Sequence, residues 1–76
     1  MTYDERNTQL SNLRNEAKYK HRYGDKELAA KCAISCAQIR VRASRKELPN
    51  LDFWAVEQIA HEAGYEIIFI RKENTW

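Results

Sequence analysis

Leu10, Leu13 and Ala17 recur three and four positions apart in an otherwise polar stretch. That spacing predicts an amphipathic helix from about Asp4 to His21 with a narrow apolar stripe. Gly24 is positioned to close it and Asp25 to cap the next helix. A second helix is expected from about Lys26 to Cys32, with Leu28, Ala29 and Cys32 inward. After a break at Ala33-Ile34-Ser35, Ser35 is a suitable N-cap for a third helix ending near Arg45. Leu48-Pro49-Asn50 reads as a turn, with Asn50 able to cap a fourth helix from Leu51 to Ala63 that Gly64 closes. At 100° per residue, Leu51, Phe53, Ala55, Val56, Ile59, Ala60 and Ala63 share one side of that helix. Trp54 falls in the polar sector between Gln58 and His61, either as a partly covered surface residue or as a partner contact.

The pattern then changes. Ile67, Ile68, Phe69 and Ile70 follow one another after a glycine, which predicts a strand over Tyr65 to Arg71. The alternative is an extension of the last helix. The strand is apolar on both faces, and the chain offers no second strand to pair with it. Unpaired backbone groups are costly when buried, and the simplest partner is the same strand of a second copy. A two-fold axis would then place Tyr65, Ile67, Ile68, Phe69 and Ile70 in a homodimer interface. The expected fold class is therefore all-α, a bundle of four to five helices plus one C-terminal β-strand paired across a dimer.

Seventy-six residues allow a single domain, 1–76, with a modest core. Two cysteines four positions apart, Cys32 and Cys36, do not make a disulfide framework, and with His21 and His61 they lack the paired spacing of a zinc site. No metal or cofactor is expected. Cys32 reads as a core residue, Cys36 as an exposed thiol open to oxidation. The polar N-terminus and the lack of a long apolar run suggest a cytoplasmic protein that does not enter a membrane. No phosphate loop, nucleophile elbow or Ser/His/Asp set is visible, so an enzyme is not expected.

Charge changes the picture more. Ten Lys/Arg against three acids give Arg14–Lys46 a charge of +7, whereas Glu47–Ile70 has five acids and no Lys or Arg, −5. A basic block beside an acidic one suggests one surface that meets an anion and one that faces away, unless the clustering is incidental. Two short helices joined by a tight turn, the second of them basic, make a helix-turn-helix, in which one helix braces on the DNA backbone and the next enters the major groove.

Glu27-Leu28-Ala29-Ala30-Lys31-Cys32-Ala33-Ile34-Ser35-Cys36-Ala37-Gln38-Ile39 resembles the motif of the phage Cro and CI repressors and the related XRE-type regulators. Leu28-Ala29, Ile34-Ser35 and the inward Ile39 carry the match. Pro49-Asn50-Leu51-Asp52 and Val56 to Tyr65 are similar to the family's final helix and closing glycine. Three features depart from the pattern. Ala33 stands where glycine is usual, Arg42 where a second inward aliphatic is usual, and Arg42-Ala43-Ser44-Arg45-Lys46 where Glu-Asn-Gly is common.

The resemblance implies a transcriptional regulator, a repressor binding double-stranded DNA as a homodimer, in a phage or as an antitoxin. It assigns Cys36, Ala37, Arg40, Val41 and Ser44 to base readout, with Arg40 foremost because a guanidinium grips guanine through two hydrogen bonds. It assigns Lys26, Ser35, Gln38, Arg42, Arg45 and Lys46 to phosphates. Each arginine could instead be solvated or paired with the acidic fourth helix. A rival of another class is a module that masks a protein partner, such as a toxin, through Trp54, Trp76 and the acidic helix.

Overall fold

The computed structural model describes residues 1–71, so Trp76 lies outside it. Among the described residues the chain forms α1 (Tyr3–His21), α2 (Asp25–Cys32), α3 (Cys36–Ser44), a 3-10 turn (Leu48–Asn50) and α4 (Phe53–Glu62). The four expected helices are present, each within about two residues of its expected ends. None is long and apolar enough to cross a membrane.

The caps explain the boundaries. Thr2 Oγ1 accepts from Glu5 N–H at 3.1 Å, and Glu5 Oε1 accepts from Thr2 N–H at 3.3 Å. This reciprocal pair starts α1 before Asp4. α1 stops at Arg22, not Gly24, with Arg22 in the left-handed region at φ 54°. Gly24 is extended instead and caps α2, its N–H held by Glu27 Oε2 at 2.9 Å. Asp25 is therefore the first residue inside α2 and its carboxylate is released from capping. Ser35 does cap α3, its Oγ accepting from Gln38 N–H at 3.1 Å. Asn50 does not cap α4: it belongs to the 3-10 turn, and α4 begins two residues later than expected. Gly64, at φ 96°, closes α4, with Tyr65 N–H reaching the Ala60 carbonyl at 2.9 Å.

One apolar cluster joins all the elements: Leu10 and Ala17 of α1, Leu28, Ala29 and Cys32 of α2, Ile39 of α3, Leu48 and Leu51 around the turn, and Ala55, Ile59 and Ala63 at α4. Many of these are alanines, which lets α1, α2 and α4 approach closely. Phe53 departs from its expected inward place and is half exposed. The expected acidic outer face of α4 is partly turned inward as well. Glu62 accepts from Tyr23 O–H at 2.8 Å, and its carbonyl lies 2.8 Å from His21 Nε2. Burial and this carboxylate push the Tyr23 hydroxyl's pKa far up. The Asn7 side chain accepts from Leu48 N–H at 3.0 Å and fixes the turn to α1.

The C-terminal strand expected over Tyr65–Arg71 is not formed, and the segment is not helical either. Among the described residues there is no other strand to complete the ladder. The segment crosses the groove between α1 and α4. Ile67 is half-buried, in the wall of a 390 Å³ pocket that Leu10, Leu13, Val56 and Ala60 also line. Tyr65 O–H donates to Glu16 at 3.1 Å, and Phe69 stacks on Phe53 with ring centroids 5.7 Å apart.

Candidate nucleic-acid interface

α2 and α3 are joined by three residues, Ala33 to Ser35, and pack on each other. Ala33, which stands where glycine is usual in the resembled motif, adopts φ 57° and ψ 37°, a left-handed conformation that costs an alanine about 1 kcal/mol or more. Ile34 is half-buried and closes the turn against the core. Leu28 and Ile39 are fully buried on either side of it. These contacts fix α3 by its inner edge and leave its outer face in solvent.

On that face Ala37, Arg40, Val41 and Ser44 are all exposed, and together they form one surface. Cys36 does not fully join them. It is half-buried against the core, which corrects its expected exposure. Around the helix, Lys26, Ser35, Gln38, Arg45 and Lys46 are exposed, with Lys46 at φ 57°. Ser35 Oγ is engaged in capping. Arg42 is half-buried and pairs with Glu47 at 3.4 Å, while Ala43 beside it packs against the core. Of the expected dimer residues, Tyr65 and Ile67 lie beside α1 and α4 and Phe69 lies on Phe53, while Ile68, Phe69 and Ile70 are 75%, 81% and 84% exposed.

The sequence reading missed the electrostatic centre of this region. Asp25 is buried, and three cations from two other helices converge on it. Arg14 of α1 grips it through two bonds, Nε to Oδ1 at 2.9 Å and Nη2 to Oδ2 at 2.7 Å. Lys18 Nζ is 3.2 Å from Oδ1, and Arg40 Nε of α3 is 3.5 Å from Oδ2. The hydrogen bonds from Arg14, which outweigh the opposing effect of burial, pull the Asp25 pKa down to about 2. The signal was available: Arg14 and Lys18 are four apart, on one face of a helix, and Asp25 is one of three acids in a basic block.

Other chemistry is quiet. Cys32 and Cys36 are both free thiols. Burial pushes the Cys32 pKa up to about 11, and its Sγ donates to the Ala55 carbonyl at 3.6 Å, so it remains a protonated packing residue. Among the described residues no three His, Cys, Asp or Glu side chains are grouped to hold a metal. Comparison with protein-family models, with curated proteins and with solved structures finds no match to this chain.

Proposed function

We propose that this chain is a sequence-specific double-stranded DNA-binding regulator of the helix-turn-helix class, a repressor that acts as a homodimer on a two-fold operator. The observation that carries the reading is the make-up of α3. Of its nine residues only Ile39 is buried, while Ala37, Arg40, Val41 and Ser44 stand in solvent on a helix fixed from behind. A helix presented in this way fits the major groove, with Arg40 meeting guanine and Ala37 and Val41 meeting thymine methyls. Lys26, Gln38, Arg45 and Lys46 flank it and supply charge for the phosphates. Residues Tyr65 to Ile70 supply the dimer contact by pairing with the same segment of a second copy.

Selection from random double-stranded DNA at moderate salt tests this directly. Enrichment of a pseudo-palindrome with half-sites about one helical turn apart is expected. A folded protein that enriches nothing overturns the reading. Dimerisation is checked by sedimentation, where a monomer at micromolar concentration removes the pairing.

One observation favours a second reading, in which the chain masks a protein partner. Phe53 and Trp54 are adjacent, both more than half exposed, and at the start of the acidic helix. Aromatic pairs of this kind anchor interfaces. In that case Trp54→Ala weakens capture of the partner and Arg40→Ala does not.

A further inference from the structure

We infer that Asp25 is a positioning residue for Arg40, holding its guanidinium in the orientation that reads a base; this rests on the DNA-binding reading above. Asp25 sits on α2 and Arg40 one turn into α3, and no other described ion pair joins these two helices. The carboxylate is not free to follow Arg40, because Arg14 holds both of its oxygens and its side chain is only 8% exposed. Arg40 is the solvent-facing member of the pair, with a long side chain 66% exposed. The fixed anion therefore restrains the flexible cation, and not the reverse.

The geometry suits two partners at once. The approach to Asp25 is through Nε. A guanidinium has five N–H donors in a planar fork, so one that faces a carboxylate through Nε has its two Nη groups for O6 and N7 of a guanine. Restraining the long side chain before binding lowers the rotamer entropy lost on binding. A contact at 3.5 Å to a cation that lies largely in solvent contributes little to stability. Its value lies in orientation, and so the loss of this one contact is visible in base discrimination.

The sign of the effect separates positioning from simple electrostatics. Asp25→Asn removes a negative charge from beside the DNA, and charge alone would tighten binding to any duplex. Positioning predicts the opposite for the enriched site: affinity falls about 10-fold, while affinity for an unrelated duplex holds or rises. It also predicts that Asp25→Asn adds nothing further in an Arg40→Ala background. Unchanged or tighter binding of the enriched site by folded Asp25→Asn, or additive effects in the double variant, overturns the role.

Because Asp25→Asn also loosens Arg14, a second measurement uses the unaltered protein. The Arg40 Nε–H resonance of the free protein is expected to be shifted and protected from solvent exchange. A signal that exchanges like that of exposed Arg45 overturns the restraint. If the unaltered protein enriches no DNA site, the DNA reading fails whatever the Arg40 signal shows. If it enriches a site insensitive to Asp25, only the positioning role fails.

Discussion

α3 and α4 are nine and ten residues long, and they use their surfaces in opposite ways. α4 buries Ala55, Ile59 and Ala60 against α1 and α2, and its polar groups, Glu62 above all, staple the end of α1 to it. α3 buries Ile39 alone. α4 is what the fold is built around. α3 is held in place by Ile39, with Cys36 and Ala43 packed half-buried beside it, a serine cap and a packed turn. The outer residues of α3 have little part in stability, so the fold does not dictate their identity. The difference teaches where to look for function: on the helix that the fold supports without using.

The largest effects should come from the inner faces. Ile39→Ala and Ile59→Ala each remove a fully buried side chain and should cost about 2–5 kcal/mol in denaturant unfolding. A mild Ile39→Ala, below about 1 kcal/mol, would break the claim that this residue anchors α3. Next comes the outer face of α3. Arg40→Ala should leave unfolding within about 0.5 kcal/mol of the parent and remove about 1–3 kcal/mol of discrimination at one base position, read by titrating matched and mismatched duplexes. Trp54→Ala, on the outer face of α4, should leave both quantities alone.

The charge centre behind α3 has its own signature in acid. The Asp25 pKa is lowered from 3.8 to about 2, so its contribution is complete above pH 4 and is lost as pH falls toward 2. That drop should amount to about 2 kcal/mol of unfolding free energy, and Asp25→Asn should flatten it. A parent protein with flat stability across this window would contradict the Arg14–Asp25 pairing. The smallest effect concerns the turn that sets the angle of α3. Ala33→Gly relieves a left-handed alanine and should raise stability by up to about 1 kcal/mol without changing the DNA site. A loss of stability would mean that the turn is not strained.

The four helices and their apolar faces were legible in the sequence because periodicity and caps such as Ser35 are local signals. The exposed set Ala37, Arg40, Val41 and Ser44 was legible for the same reason: once α3 has an inner residue, the opposite face follows. The misplaced ends have a shared cause. Gly24 and Asn50 were read as helix caps from residue type, whereas Arg22 closes α1 and Gly24 is drawn into capping α2 with Glu27. The shared face of Arg14 and Lys18 is readable in the sequence, but their convergence with Arg40 on Asp25 is not, because the three partners lie eleven, seven and fifteen positions away. Such pairings belong to the packing of three helices and leave no periodic trace. Cys36 and Phe53 were misjudged because each sits at the edge of its helix face, where a small rotation exchanges core for solvent. The C-terminal segment has strand-forming residues, but a strand needs a neighbour, and the described residues of one copy supply none.

The central claim is that α3, not α4, meets DNA. Titrating isotope-labelled protein with a mixed-sequence duplex at low salt, and following every backbone amide by NMR, tests it most directly. The account predicts shifts concentrated at Ala37, Arg40, Val41 and Ser44 and at flanking Lys26, Arg45 and Lys46. Shifts confined to Phe53, Trp54 and the segment after Gly64, or no shifts at all, would contradict it.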